Sequence, residues 1–497
     1  MPNLLDPVTR HAAASDAAVA LRTDEDPWTY AGLREASLRY AGALRDAGVS
    51  VGERVLLVAP SIPEFVVAYM GIQALGGVVV PVNTMSTAVE VEYYLTDSGA
   101  ALAIGWHALG PAVAEAAAAV GVPHWTLYAD ARVDATPLPD AVDRDRRETA
   151  AILYTSGTTG RPKGAELTVG NLLSGGEIGC HLSRGTAEDR TGTGLPLFHI
   201  FGQAAVMMAT FTGGGSLSLL GRFTAAGMID ILRRDDLTIM CGVPTMWNAM
   251  LHAARDDADF THLRVAISGG ASLPGEIARA FESRFGCTIL EGYGLTETTA
   301  VGTFNDVERG RKIGSTGGVV PRLEVEVRDT AGNSCPPGTI GEVYIKGETV
   351  MKGYWNHPDA TAAAITPDGW FRTGDLGEFD ADRDLRIAGR IKDLIIRGGY
   401  NVYPGEVEEV LYQHPDIVEA AVVGVPDDYY GEEVAAVITR VPGSALTEDE
   451  VVAWSREKLS AYKIPRIVRF VDQLPKGSTG KILKRDIDRT DLRKASA

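Results

Sequence analysis

The sequence predicts an α/β fold, with a large N-terminal domain of helix-covered β-sheets and a small β-barrel subdomain, followed by an α+β C-terminal domain. Three observations predict it. The chain has 497 residues, more than one hydrophobic core accommodates. From about Pro27 to Val82, short apolar runs alternate with segments of helical period, the pattern of a largely parallel, helix-covered sheet. After about Gly314 the texture changes to short strands of period two, broken by Gly, Pro and Asp.

Residues 29–49 carry apolar side chains at helical spacing, with Thr29 as N-cap and Gly48 as the stop. "RVLLVAP" reads as a buried strand, "PEFVVAYMGIQALGG" as a helix and "VVVPVN" as the next strand. The alternation returns at Leu237–Met240 and Leu263–Ser268. "LEVEVRD", "GEVYIKG" and "DLRIAGR" form the small β-subdomain, about 314–389. From 390 to 497 a compact unit follows, with "VEEVLYQHP", "IVEAAVVGVPD", "EVAAVITRV" and "EDEVVAWSREKL". The boundary falls near Gly389–Lys392, so the domains are 1–389 and 390–497.

Composition narrows the function classes. A formal net charge of −18 argues against general nucleic-acid binding, which needs clustered cations. Cys180, Cys241, Cys287 and Cys335 are scattered without a CxxC pair, which disfavours a zinc site or a disulfide framework. Charges crowd the first 30 residues, and the longest apolar stretches, such as Phe65–Leu75, are too short to span a bilayer. A cytoplasmic protein with no transmembrane segment is expected.

The strongest local signal is "ILYTSGTTGRPKG", Ile152–Gly164. A strand runs into Thr155, Ser156, Gly157, Thr158, Thr159 and Gly160, with Arg161 and Lys163 beyond. Small residues let backbone N–H groups converge, hydroxyls add donors and Lys163 adds charge, which together make a polyphosphate cradle. The Gly-Lys-Ser/Thr of a Walker A loop is missing, so the P-loop reading loses its support. A flexible surface loop is the bland alternative.

"YTSGTTGRPKG" resembles the signature of the adenylate-forming superfamily, and six further segments match in order: "LPLFH", "GGA", "EGYGLTE", "RTGD", "GRIKDLIIRGGYNVYPGEVE" and "PKGSTGKILK". The likeness extends over roughly residues 25–485 and points to the acyl-CoA synthetase branch. It implies two-step chemistry. ATP and a carboxylic acid give acyl-AMP and pyrophosphate, and the acyl group then passes to a thiol. A carboxylate is already ionised at neutral pH, so the demand is electrostatic rather than for a general base.

By that resemblance Lys481 is the catalytic lysine that approaches the α-phosphate. Glu297 holds Mg²⁺ together with Thr155 or Thr159. Asp375 takes the ribose hydroxyls with help from Arg390. Tyr293 packs on the adenine, with Gly269, Gly270 and Ala271 as the opposite wall, and Glu291, Gly292, Gly294 and Thr296 complete the nucleotide set. The acid pocket takes Phe198, His199, Val243, Pro244, Gly269, Gly292, Gly294 and Thr298, with His199 as a gate rather than a proton-transfer group. Lys392 is the hinge of a mobile C-terminal domain, and Gly398, Gly399, Tyr400 and Asn401 line the thiol's route.

Two absences bear on the acid. No Asp follows the aromatic of "LPLFH", as in amino-acid-activating relatives, and Gly292 stands where malonate-type relatives carry Arg. A second carboxylate would lack a partner there, which predicts an apolar monocarboxylate. Gly292 and the small residues and methionines of "FGQAAVMMATF" favour a medium- or long-chain fatty acid over an aryl acid, with Met207 and Met208 as ordinary core the equal alternative. The acceptor is coenzyme A, or alternatively the phosphopantetheine of an acyl carrier protein. Residues 456–494 hold 12 Lys/Arg against 5 Asp/Glu, a basic face that suits either. A silent nucleotide-binding scaffold and a luciferase-like oxygenase are the readings from other classes.

Overall fold

The computed structural model describes residues 2–129, 133–155, 161–254, 260–478 and 480–494. Two large sheets organise the first 320 residues. In the first, the strands Thr149–Thr155, Val78–Pro81, Arg54–Val58, Leu102–Trp106 and His124–Leu127 lie parallel in that order. Lys163–Thr168 and then Gly353–Tyr354 extend it antiparallel. In the second, Thr288–Tyr293, Val265–Ser268, Ile239–Gly242, Arg190–Thr193, Ser216–Leu219 and Val19–Arg22 are parallel, with short antiparallel strands at both edges.

The buried runs are almost wholly apolar because both faces of each sheet are covered. Val55 and Leu57 join the core between the sheets, together with the helices Tyr30–Asp46 and Pro63–Leu75. Their neighbours Leu56 and Val58 face outward under Ala88–Ser98 and Ala112–Val120. Met240, Ala266 and Ile289 face the opposite outer layer, formed by Ala225–Arg234, Pro244–Ala253 and Gly275–Phe285. The predicted cap at Thr29 is present, its side chain accepting the Gly32 N–H. None of the described helices is long and apolar enough to cross a membrane.

The β-subdomain comprises Leu323–Arg328, Gly341–Gly347, Phe371–Phe379 and Leu385–Arg390, all antiparallel. Its strand path is open, so the barrel expected from the sequence is a four-stranded sheet, closed over Ile178, Val301 and Val320 by packing rather than by hydrogen bonds. The turn Ile391–Asp393, which includes Lys392, leads to the C-terminal unit. There Ile417–Asp427 and Gly431–Arg440 form the longest ladder. Val422, Val434 and Ala436 face the helices Pro404–Tyr412 and Glu448–Lys458, while Val423, Ala435 and Val437 face Leu474, Ile487 and Leu492.

The C-terminal unit rests on the outer helices of the second sheet. The Asn248 amide donates to the Val418 carbonyl at 3.2 Å, the Thr245 hydroxyl to the Gly480 carbonyl at 3.0 Å, and the Gly275 N–H to Glu409 Oε1 at 3.1 Å. Tyr412 adds an apolar contact to the same layer.

Candidate active site

Strand Thr149–Thr155 ends where the sequence predicts a phosphate loop, and the chain returns antiparallel with Thr155 paired to Lys163. Ser156, Gly157, Thr158, Thr159 and Gly160 lie outside the described residues, so the cradle is delimited by its two flanks.

Glu297 stands on the short turn Thr296–Thr298. Thr299 and Ala300 follow with φ of 53° and 67°, left-handed values that cost about 1–3 kcal/mol each outside glycine. Buried bonds hold them there: the Thr299 hydroxyl donates to the Thr349 carbonyl at 2.7 Å, and the Ala300 N–H returns to the Leu295 carbonyl at 2.9 Å. The largely buried Glu297 carboxylate faces Thr155. Its Oε1 accepts the Tyr354 hydroxyl at 2.9 Å and, more weakly, the Thr155 hydroxyl at 3.5 Å. Among the described residues no cluster of three or more His, Cys, Asp or Glu could enclose a metal. One carboxylate beside a hydroxyl is a hard oxygen donor set, which fits a Mg²⁺ carried in on phosphate oxygens rather than a caged ion.

The nucleoside side is built on the β-subdomain. Asp375 and Arg390 pair across two antiparallel strands, with Arg390 Nε 3.1 Å from Asp375 Oδ1. The Tyr293 hydroxyl donates to Asp375 Oδ2 at 2.7 Å. Burial and the Asp375 charge hold the Tyr293 hydroxyl well above its ordinary pKa, so it remains a donor. Each oxygen of the buried Asp375 keeps a lone pair for a further donor, which suits two adjacent hydroxyls. Gly269–Ala271 follow strand Val265–Ser268; a Cβ on Gly269 would lie 3.1 Å from the Phe201 ring, and one on Gly270 would lie 3.5 Å from Val243.

Lys481 reaches this side from the C-terminal unit, anchored next door by the Thr245–Gly480 bond. Water reaches its side chain, yet protein rings it. Loss of hydration, with Arg390 the leading charge, lowers its pKa to about 8, against the opposing pull of Asp375, and the water in the cleft moderates that drop. His199 is pushed down to about 4 by burial and by the Lys481 charge. Its ring is therefore neutral, with Nδ1 accepting the Phe201 N–H at 3.3 Å.

Several expectations need correction. Glu291 is turned inward: its carboxyl accepts the Leu273 N–H at 3.0 Å, and burial, with the Glu409 charge, pushes its pKa up to about 8, so it braces the Gly269–Ala271 turn instead of facing a nucleotide. Thr298 is fully buried and accepts the Leu295 N–H at 3.0 Å, closing its turn instead of lining a pocket. Gly294 is pressed against the backbone of Ala300 and Val301, where a Cβ would lie 2.3 Å from Ala300 C. Gly292 opens no slot, because Phe304 pairs directly opposite and a Cβ would lie 2.7 Å from its ring. Met207 and Met208 are fully buried core, Met208 packing against Gly176 on the helix Val169–Ser183.

Gly398, Gly399 and Tyr400 form an exposed turn whose contacts are within the C-terminal unit: Tyr430 against Gly398, and Tyr462 stacked on Tyr400 at 4.8 Å. In this arrangement the turn does not join Lys481 and Asp375. Tyr354, Phe304 and Thr245 were not singled out from the sequence. "GYW" after Lys352 was a possible signal for Tyr354, whereas Phe304 needs the strand register and Thr245 needs the domain contact.

Comparison with known proteins places this geometry. A family model described as AMP-binding enzyme matches residues 8–355, and one described as AMP-binding enzyme C-terminal domain matches 406–481. A feruloyl-CoA synthase of Amycolatopsis sp is 38% identical over 487 residues, 97% of each chain. A long-chain-fatty-acid–CoA ligase of Bacillus subtilis is 34% identical over 493 residues, 90% of this chain and 87% of its own. The crystal structure of ATP-bound MatB from Rhodopseudomonas palustris superposes with a TM-score of 0.92 at 34% identity, covering 99% of this chain and 100% of its own. The apo form of MatB, with the same coverage, gives 0.81.

Proposed function

This chain belongs to the AMP-binding enzymes and is an AMP-forming acid–CoA ligase, and from that premise we propose that it activates a compact, apolar monocarboxylic acid, aryl or arylpropenoic rather than long-chain. The convergence of Lys481, Arg390 and Asp375 beside the neutral His199 carries the catalytic reading. A carboxylate oxygen attacks the α-phosphorus of ATP, and the bond to pyrophosphate breaks. Two anions meet in that step, so preorganised positive charge lowers its barrier most. The Lys481 ammonium supplies that charge from one side and the cradle flanked by Thr155 and Lys163 from the other. Asp375, held by Arg390 and Tyr293, takes the ribose hydroxyls and sets the distance between phosphorus and Lys481. Glu297 and Thr155 would hold Mg²⁺, which when bound withdraws charge from the phosphate oxygens. In the second step the thiol sulfur of coenzyme A attacks the acyl carbonyl and AMP leaves with the bonding pair. For that step Lys481 and Gly480 withdraw and the Gly398–Tyr400 turn approaches, a rotation about Lys392.

The Phe304 ring over Gly292, with the Phe201 ring against Gly269, supports the choice of acid. Two aromatic rings occupy the space that the glycines leave, which shortens the room for a flexible chain and favours a compact, flat acyl group. The same ring gives a second carboxylate no partner. The 38% identical feruloyl-CoA synthase agrees with this choice, while the fatty-acid ligase relative keeps the chain-like reading as the competitor. The test is acid-dependent pyrophosphate release with phenylpropenoic, benzoic and straight-chain acids, each with coenzyme A and with a holo carrier protein. Preference for long chains by tenfold or more in kcat/KM would refute the aryl reading, and thioester formation on the carrier alone would refute coenzyme A.

A further inference from the structure

Glu297 is held from one side by a segment to which no role has been given. Residues 351–354 cross beneath its turn. The Met351 N–H donates to the Glu297 carbonyl at 2.8 Å, and the Tyr354 hydroxyl donates to Glu297 Oε1 at 2.9 Å. Gly353–Tyr354 is also the edge strand beside Lys163–Thr168, with Tyr354 opposite Ala165 and the Trp355 N–H on the Gly164 carbonyl at 2.8 Å. Tyr354 is thus tied to the Lys163 flank of the phosphate site and to Glu297. Its own placement is constrained. The Tyr354 N–H donates to Thr361 Oγ1 at 2.8 Å, and a Cβ on Gly353 would lie 2.8 Å from the Thr361 side chain, so only glycine allows the approach.

The ring stands between two opposite charges. Lys163 Nζ lies 5.6 Å from its centroid, and the hydroxyl on the same ring meets Glu297. No described carboxylate forms an ion pair with Lys163. A cation over a ring face is held without being neutralised, as a carboxylate partner would neutralise it. The hydroxyl likewise fixes a carboxylate without cancelling its charge.

We propose that Tyr354 is a positioning residue that fixes the Glu297 carboxylate for a single-oxygen contact to the metal ion on the phosphates, while its ring keeps Lys163 from pairing with that carboxylate. Oε1 already takes two hydroxyl donors, Tyr354 and more weakly Thr155, so the other oxygen is the one presented to the ion. Magnesium demands near-ideal octahedral geometry, and a carboxylate free to rotate or to chelate with both oxygens distorts it. Outer partners of metal-holding carboxylates typically contribute about 10–100-fold in metal affinity. The proposal rests on the reading of Glu297 as the metal-side carboxylate.

The test measures Mn²⁺ affinity, by water-proton relaxation, in the full-length enzyme with a non-hydrolysable ATP analogue. Tyr354→Phe keeps the ring and is expected to weaken Mn²⁺ binding about tenfold, with thermal stability unchanged and thioester formation from preformed acyl-adenylate at the wild-type rate. Glu297→Gln is expected to weaken it at least as much. Trp355→Phe, which loses the indole bond to the Asp97 carbonyl in the same segment, is expected to leave it unchanged. Wild-type affinity in Tyr354→Phe alongside a loss in Glu297→Gln overturns the role of Tyr354. An equal loss in Trp355→Phe overturns it too, because the effect is then general to the segment. Unchanged affinity in Glu297→Gln overturns the reading of Glu297 itself.

Discussion

If Lys481 supplies the charge that lets two anions meet, the first half-reaction fails as that lysine deprotonates, and it fails early. Crowding by protein and the Arg390 charge lower its pKa from the ordinary lysine value to about 8, while Asp375 and Asp393 oppose them. The sign follows directly. Lys481 is charged below that value and neutral above it, so kcat/KM for pyrophosphate exchange is level at neutral pH and falls on the alkaline side. One unit above the pKa about a tenth of the enzyme carries the ammonium, and each further unit removes about another factor of ten. Saturating MgATP brings phosphate charge to the ammonium, so the limb of kcat lies at higher pH than that of kcat/KM. Docking runs the opposite way. The cost of crowding a still-hydrated ammonium beside Arg390 is complete below the folded pKa and is relieved as pH rises toward the free-lysine value, so this domain arrangement tightens while its chemistry fades. The assay is acid-dependent ATP–pyrophosphate exchange from about pH 6 to about pH 10, beside thioester formation from preformed acyl-adenylate, which lacks the limb. Lys481→Arg retains part of the rate and loses the limb, while Lys481→Ala falls by about 10²–10³, the scale of losing one preorganised charge contact. Exchange that stays level to the end of the range, or Lys481→Ala within threefold of wild type, refutes the assignment.

Three further outcomes follow from the same geometry. Asp375→Asn keeps the shape but loses the charge that Arg390 and Tyr293 surround, and the KM for ATP rises about 10–100-fold, as expected for hydrogen bonds to a charged group; a KM within twofold of wild type removes Asp375 from the ribose. Glu409→Gln weakens the carboxylate contact at the N-terminus of helix Gly275–Phe285, worth about 0.3–1 kcal/mol. The ratio of adenylation to thioester rates should fall about twofold to fivefold, and an unaltered ratio means that the contact does not bias the arrangement. Gly292→Ala forces a methyl against Phe304 and destabilises the fold by about 1–3 kcal/mol, whereas Phe304→Ala admits longer acids. If Phe304→Ala leaves the acid profile unchanged in the same panel, Phe304 does not bound the pocket.

How far the sequence could be read depended on range. The helix Tyr30–Asp46, its cap at Thr29 and the strand Arg54–Val58 follow from periodicity within a dozen residues, and the structure places them where the pattern does. Lys481, Asp375, Arg390 and Glu297 could be named from the sequence because each sits in a segment whose order along the chain resembles one family, and the structure shows Asp375 and Arg390 paired. Pairing partners were not legible. Tyr354 meets Glu297 across 57 residues, and Tyr293 meets Asp375 across 82, distances at which no local pattern operates. Gly292 misled for the same reason: from the sequence it is a missing side chain, and only the register with Phe304 shows the space filled. Glu291 misled because a carboxylate beside a glycine-rich turn is ordinarily exposed, and nothing local reveals that the Leu273 N–H draws it inward.

The domain arrangement lies furthest from the sequence, and on the proposed mechanism it sets which of the two steps proceeds. Thr245 and Gly480 meet across 235 residues in one hydrogen bond, and Lys481 follows immediately. Such a bond contributes about 0.5–1.5 kcal/mol, and the Asn248 and Glu409 contacts are of the same kind. The polar contacts named here together hold the C-terminal unit by a few kcal/mol, enough to favour this arrangement and too little to lock it. On the proposed mechanism, which brings first the Lys481 ammonium to the α-phosphate and then a thiol to the acyl carbonyl, an interface of that strength suits both steps, because a stronger one would slow the second as it favoured the first.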